Sequence, residues 1–554
     1  MVTPPAPLST HLYAFDHPHE RPPRQLADLL GGKGAGLAEM TSVLGLPVPP
    51  GFTIGLPVCR AYRDVGWPAG LDEAIAAQLA ALESRIGRRL GDPGDPLLVA
   101  VRSGAPRSMP GMLDTVLNLG LNEATVGGLA AVSGDAVFAW DSYRLFLTMY
   151  ATTVLGVSAD ALPHGPAPTD ADGLRARVAE IKAALNRAGQ QVPDDPAEQL
   201  RGAVEAVFRS WDSRRARVYR EQEGIDENIG TAVNVQAMVF GNYDDASGTG
   251  VVFTRDPNTG RDEPYGDYLP RAQGDDVVAG TSTTLTLDGM ATGHPEAHVA
   301  LQSHLRHLEK HYRDMCDVEF TVERGTLWIL QTRIGKRGAV AAVRLAVQMM
   351  QDPHIRLDID EARARVDQET RDRARSEVLA TARQGITSDP VATGLGASPG
   401  RVSGSVVLDS EAAAAADGPV ILVRPETSPE DVHGMSVSVG ILTSAGGLVS
   451  HAAVVARGWG IPAVVGAADL VVTAQDTRTA DGTVVFRAGD TITIDGTSGE
   501  VWLGAAKTDV ADVDGDEQVL ARELPELAVL AGGTTEHWPG RAGHDREGSV
   551  RSTV

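Results

Sequence analysis

Two cysteines in 554 residues, Cys59 and Cys316, are too few for a disulfide scaffold and too far apart for a thiolate metal motif. Lysine is scarce as well. Lys33, Lys182, Lys310, Lys336 and Lys507 are the only five among 49 basic residues, so a lysine inside a glycine loop stands out against a background of arginine. No apolar run approaches the ~18–20 residues needed to span a bilayer. The opening MVTPPAPLSTHLYAFDHPHE has neither a basic start nor an apolar centre. Neither a signal peptide nor a membrane partner is therefore expected, and the expected location is cytoplasmic. A polybasic block is missing too. With 73 acidic residues the net charge is −24, spread along the chain, which argues against nucleic acid as a partner.

What is present is the composition of a soluble globular protein, 42% hydrophobic with a mean hydropathy of −0.10. The length allows three or four domains at ~150 residues each. The 61 glycines and 33 prolines are bunched into loops. Residues 26–60 read as a turn, a short helix from Ala35 to Leu44, a proline corner and a strand, and 97–105 (LLVAVRSGA) as a strand with a polar tip. Helical periodicity dominates from about 120 to 225. From 231 to 335 the pattern turns to strands, 338–383 is helical and charged, and 384–395 (QGITSDPVATGL) reads as a hinge. Short strands and helices fill 396–504. Residues 506–554 read as a mobile acidic tail with at most one short helix near 515–530.

Four strings carry chemistry. GGKGAGLAEM at 31–40 gathers glycines around Lys33; such a backbone approaches a polyphosphate closely, with the ammonium as a point charge. The GxxxxGK[ST] spacing of a P-loop is absent, and a plain glycine turn before a helix fits the same string. VRSGAPRSMPGM at 101–112 sets Arg102 at a strand end and Arg107 among small residues, suited to phosphate oxygens or simply solvated. DVEFTVERGTLWILQTR at 317–333 reads as a β-hairpin turning at Arg324 and Gly325. Asp317 and Glu319 share one face, Gln331 falls opposite Glu319, and Arg333 follows on the same face. Two carboxylates and an amide oxygen are hard ligands for a Mg²⁺ ion bridging nucleotide phosphates, the alternative being an ordinary acidic sheet face.

The fourth string, GILTSAGGLVSHAAVVARGWGIPAVVG at 440–466, reads as strand, glycine turn (Gly446, Gly447), helix and strand, with Ser450 as N-cap and His451 at the first helical position. A phosphoryl group on that imidazole would meet free N–H groups and the positive end of the helix dipole. His451 is thus a candidate nucleophile toward phosphorus. In ILVRPETSPEDVHGM, Ser428, Pro429 and Asp431 form a capping box, which sets a second helix N-terminus near Arg424 and Thr427.

With LLGGKGAGLAEM, SMPGMLDTVLNLGLN, FRSWDSRRARVYR, SGTGVVFTRDPNTG, LQTRIGKR, ILVRPETSPED and GGLVSHAAVVARG in this order, the chain resembles the pyruvate, phosphate dikinases from about residue 11 to 505. The resemblance implies an α/β and α+β multidomain protein. Its expected parts are an ATP-grasp-like nucleotide domain over 1–340 with a helical insert at about 120–225, and a helical linker over 341–390. A swivelling phosphohistidine β/α domain over 391–505 follows, then the tail over 506–554. The resemblance also implies that the β-phosphoryl of ATP passes to His451 while the γ-phosphoryl goes to inorganic phosphate. Lys33 and Arg102 would hold ATP phosphates, and Asp317, Glu319, Gln331 and Arg333 would complete the site for Mg²⁺ and phosphate. Gln273 and Asp275 of AQGDDVVAG would approach the nucleotide.

The chain departs from the family pattern in places. Asp275 stands where the family usually has Glu, and Pro106 where it commonly has a basic residue, with Arg107 one place later. GGLVSH replaces GGMTSH, so Val449 lacks a hydroxyl beside the histidine. GIPAVVG lacks the family's cysteines and is closer to the phosphoenolpyruvate synthases. Only 506–554 follow the phosphohistidine unit, whereas a (β/α)₈ barrel needs ~200–250 residues. The expected activity is therefore the ATP and phosphate half-reaction, giving AMP, pyrophosphate and a phosphohistidine, with pyruvate and phosphoenolpyruvate handled by a separate partner protein. Two alternatives stay open: a phosphoenolpyruvate synthase-like or antibiotic-phosphorylating relative, and a non-catalytic phosphocarrier or nucleotide-responsive regulator.

Overall fold

Three large sheets follow one another along the chain. The computed structural model describes residues 11–107, 109, 112–273, 285–385, 389–448, 450–508 and 513–532. The first sheet holds β1 (Leu12–Ala14), β2 (Gly51–Ile54), β3 (Val99–Gly104), β4 (Thr115–Leu119) and β5 (Ala232–Ala237), in the order β1-β2-β5-β3-β4 with every pairing antiparallel. β5 reads AVNVQA and is buried along its whole length, as a central strand covered on both faces should be. A helix, α1 (Ala27–Ala38), packs on β2, β3 and β5. Five helices fill the stretch between β4 and β5, from Glu123–Ser133 to Arg214–Glu223. Their Phe138, Phe146 and Phe208 share one core with Val101 and Val116 of the sheet.

The second sheet, in the order β8-β7-β6-β9-β10, is also antiparallel throughout: β6 (Gly248–Phe253), β7 (Tyr265–Pro270), β8 (Leu285–Thr286), β9 (Cys316–Glu323) and β10 (Thr326–Ile334). Here the reading of 231–335 as strands needs correction. Helices Leu287–Gly293 and Pro295–Tyr312 interrupt it. In the second of them Ala297, Leu301, Leu305 and Leu308 fall at helical spacing and are buried against Val318 and Phe320 of β9. The glycine-rich string at 31–36 also differs from the expected turn. It lies inside α1, which starts at Ala27 and breaks only at Gly31.

Helices α2 (Ala339–Gln351), α3 (Ile359–Arg365) and α4 (Gln368–Arg383) come next, then an eight-stranded mixed sheet. Its parallel centre is β11 (Arg401–Val407), β12 (Val420–Arg424), β13 (Gly440–Thr443) and β14 (Ala463–Val465), with α5 (His451–Trp459) crossing from β13 to β14. Beyond it the chain returns to the preceding helices. Gln384–Gly385 and Lys507–Thr508 pair antiparallel, so the entry to and exit from the eight-stranded unit form one two-stranded ribbon. No helix among the described residues is long and apolar enough to cross a membrane.

The composition predicts a mobile tail over 506–554; the structure corrects this at 507–508, which pair with 384–385, and over 513–532. α6 (Val513–Glu523) and α7 (Glu526–Ala531) pack on α2 and α4, and Leu524, Val529 and Leu530 share a core with Ala339, Val343 and Ala362. Arg363 Nε donates to the Leu530 carbonyl at 2.8 Å. The apolar run LPELAVLA supplies the stripe that the acidic composition around it obscured. Leu524→Ala should cost about 2–4 kcal/mol, read as a lower urea midpoint; a free tail would leave the midpoint unchanged.

Candidate functional site

The β9–β10 hairpin is the platform. Its turn residues Arg324 and Gly325 both have positive φ, 51° and 78°, as a two-residue I′ turn requires. This turn pairs Glu323 with Thr326, and an unbroken ladder would carry on to set Leu330 opposite Glu319. A β-bulge intervenes between Glu319 and Phe320. Leu330 becomes the extra residue, Glu319 faces Gln331 and Asp317 faces Arg333. Because side chains alternate with period two, this single-residue shift decides that Gln331 and Arg333 share the carboxylate face. Gln331 Nε2 donates to Glu319 Oε1 at 2.9 Å, and Arg333 Nη2 reaches Asp317 Oδ2 at 2.8 Å and Glu319 Oε1 at 3.3 Å.

Two distant segments close over this face. Gly31 has φ 69°, and a Cβ there would lie 1.7 Å from the Gly104 carbonyl oxygen, so only glycine lets α1 come so near the end of β3. Gly32 N–H donates to the Ala105 carbonyl at 2.9 Å. Lys33 and Arg102 thereby face the hairpin, and Arg102 Nη2 donates to Glu319 Oε2 at 3.4 Å. Lys33, Arg102, Asp317, Glu319, Gln331 and Arg333 line one cavity of about 490 Å³. A second cavity of about 230 Å³ shares Arg102, Thr115 and Glu319 with it and is walled by Ala100, Met238, Val251 and Leu330. Gln273 lines this second cavity and donates through Nε2 to Asn242 Oδ1 at 3.1 Å. Asp275 lies outside the described residues.

The charges in the site oppose one another. Burial pushes the Asp317 carboxyl above its usual range, against the pull of Arg333. Glu319 meets the same burial cost, but Arg333, Arg102 and Lys33 outweigh it and hold its carboxyl below the usual range. Asp317 Oδ1 is buried without a hydrogen-bond partner. Among the described residues no three His, Cys, Asp or Glu side chains gather to hold a metal by themselves. Two carboxylates, one with an unpartnered oxygen, and an amide fit Mg²⁺, which takes its remaining ligands from phosphates and water.

At the other end of the site, Ser450 precedes α5 as N-cap, and its Oγ is buried with no partner. Gly446, with φ 104°, begins the turn, and the Gly447 carbonyl accepts from Ser450 N–H at 3.1 Å. Val449 lies outside the described residues. His451 is half-buried, with Nδ1 3.0 Å from Thr427 Oγ1. Burial holds its imidazole below the ordinary 6.5, although Asp431 and Glu430 pull the other way. The ring is therefore neutral at pH 7, and with Nδ1 engaged by the threonine, Nε2 is the nitrogen left for chemistry.

The eight-stranded unit sits against the second sheet. Leu448 N–H donates to Asp267 Oδ2 at 2.6 Å. Arg457, only 3% exposed, gives hydrogen bonds to Asn258 Oδ1 and to the carbonyls of Ala397 and Leu448. Val454 and Arg457 of α5 wall the 490 Å³ cavity; His451, earlier on the same helix, does not line it. Arg457, Lys336 and Asp267 are the site residues that sequence reasoning missed. Arg457 left one signal, an arginine in the otherwise apolar run that follows the histidine.

Comparison with known proteins decides the family. The model described as pyruvate phosphate dikinase, AMP/ATP-binding domain, matches residues 27–84, 63–290 and 294–352, more than half of the chain. The chain belongs to the pyruvate, phosphate dikinase family. A second model, PEP-utilising enzyme, mobile domain, matches 416–499 of this family member. A pyruvate, phosphate dikinase of Rhizobium meliloti (strain 1021) is 46% identical over 520 residues, covering 88% of this chain and 57% of the relative. The chloroplastic pyruvate, phosphate dikinase of Flaveria trinervia is 44% identical over 556 residues, 96% of this chain and 58% of the relative. The chain thus spans under three-fifths of the length of these relatives.

Two outcomes are expected. Arg333→Met should remove the cation that bridges Asp317 and Glu319 and weaken Mg-ATP binding by about 100-fold, with the circular dichroism spectrum retained. The His451 ring should titrate by NMR with a midpoint below 6.5. Since folding favours the neutral ring, the stability it contributes is present above pH 6.5 and is lost as pH falls.

Proposed function

We propose that the chain is a dikinase-type phosphotransferase that performs the ATP and phosphate half-reaction. One observation carries this reading: Lys33, Arg102, Asp317, Glu319, Gln331 and Arg333, from three separate segments, surround one cavity whose wall includes the helix that begins with His451. In this reading 1–340 is an ATP-grasp-like nucleotide domain and 391–505 a swivelling phosphohistidine domain. The adenine occupies the smaller, largely apolar cavity near Gln273, and the phosphates extend across Lys33, Arg102 and Arg333. Asp317, Glu319 and Gln331 hold Mg²⁺, which when bound offsets phosphate charge and fixes the phosphate chain.

Thr427 Oγ1 lies 3.0 Å from His451 Nδ1; in this reading Nδ1 carries the proton toward the threonine, which leaves the lone pair on Nε2. That pair forms a bond to the β-phosphorus as the bond to the AMP oxygen breaks. The γ-phosphoryl passes to an oxygen of inorganic phosphate, and pyrophosphate leaves. The N–H groups at the start of α5 and the unpartnered Ser450 hydroxyl receive the phosphoryl group. Because His451 does not line the cavity in this arrangement, the transfer needs the eight-stranded unit to turn. We assign that rotation to the paired ribbon at 384–385 and 507–508. In this reading the pyruvate and phosphoenolpyruvate chemistry belongs to a separate unit.

The test is to incubate the chain with Mg²⁺ and ATP labelled at the β or the γ position, with and without phosphate. Acid-labile label from the β position, absent in His451→Ala, is the expected result. Label from the γ position alone, or none, would refute the reading.

A further inference from the structure

We infer that a cavity on the far side of Lys336 and Arg457 from the nucleotide site binds a phosphate oxyanion. It measures about 450 Å³ and lies between the 335–338 loop, α2, α3, α4 and the C-terminal end of α5. Five cations line it, Lys336, Arg337, Arg365, Arg373 and Arg457, against one carboxylate, Asp314. In a chain of net charge −24 such an excess has to be gathered on purpose by the fold. Asp314 is already engaged, 2.6 Å from Arg337 Nη1 and 3.5 Å from Arg365 Nη1. Arg457 is buried, gives its hydrogen bonds to amide and carbonyl oxygens and lies over the Phe253 ring.

Other negative groups account for part of the charge. Arg373 Nη1 and Lys336 Nζ lean on α5 near Gly460 and Gly458, each 3.0 Å from where a Cβ would stand. The carbonyl end of a helix carries about half a negative charge. Glu377, further along α4, feels Arg373, but burial pushes its carboxyl up to about 7 and it accepts a bond from the Val340 N–H. Glu361 also acts on Arg365, Asp367 on Arg373, and Asp317, Asp256 and Asp267 on Arg457, yet on the cavity wall itself five cations face one carboxylate, and a concave site of that sign draws in an anion. Guanidinium forks match the oxygens of a phosphate group.

Lys336 and Arg457 line both this cavity and the 490 Å³ one, so an anion here reaches the edge of the proposed ATP phosphate site. It also touches α5 on one side and the 335–338 loop with α2 to α4 on the other, and so bridges the two units. Its role as co-substrate or product rests on the proposed function; its binding does not.

The experiment titrates the full chain, without ATP, with inorganic phosphate and separately with pyrophosphate, by calorimetry. The expected result is saturable binding weakened roughly tenfold in Arg373→Glu and in Lys336→Gln. Arg373 is exposed and its reversal breaks no ion pair among the described residues, so this variant should fold, with its circular dichroism unchanged. Lys33→Ala should lose ATP affinity and keep phosphate affinity. Binding of phosphate identifies the co-substrate, and binding of pyrophosphate alone identifies the product. No saturable binding of either anion, or binding indifferent to both substitutions, overturns the inference.

Discussion

Two carboxylates held side by side on one sheet face have to be offset by positive charge, and the arrangement around Asp317 and Glu319 follows from that requirement. Each disfavours ionisation of the other, and burial disfavours both. Arg333 comes from the same hairpin, Arg102 from the end of β3 and Lys33 from α1, and the three cations converge on that face. The convergence needs the close approach of α1 to β3 at Gly31 and Gly104 and the bulge that turns Arg333 inward. A site of this kind is poised: it is balanced without a ligand, yet an unpartnered Asp317 oxygen is left for a cation that would arrive with phosphates.

The same electrostatic logic extends across the seam between the units. Arg457 is drawn out of water, where burial works against its charge, and it is retained by oxygens from both sides, Asn258 and the carbonyls of Ala397 and Leu448. Asp267 reaches the other way to the Leu448 N–H. These polar contacts hold α5 against the preceding sheet. The two-stranded ribbon makes both chain connections run together as one paired element.

Much of the site could be read from residue type and spacing. The hairpin turn, the N-cap position of Ser450 and the histidine beside it are local features, set by alternation and turn chemistry, whereas the facing of Glu319 and Gln331 rests on the bulge at Leu330, which alternation alone does not give. The helix at 295–312 was equally present in the spacing of its leucines, but the strands on either side dominated the reading. The packing of α6 and α7 was hidden for a different reason, since acidic residues around a short apolar run look like a solvated tail until a partner surface is known.

The family, the candidate phosphate-binding and carrier residues and the succession of helical and strand-rich stretches are legible in the residues alone, because they depend on motifs and on periods of two or 3.6 residues. That Lys33 and Arg102 reach the hairpin follows from the folded chain. The tertiary structure alone brought Arg457 and Lys336 to the boundary of two cavities, and it leaves His451 off the wall that its own helix forms. The reason is distance along the chain: charges separated by hundreds of residues interact only after glycine contacts, sheet register and interdomain hydrogen bonds have fixed where each backbone lies.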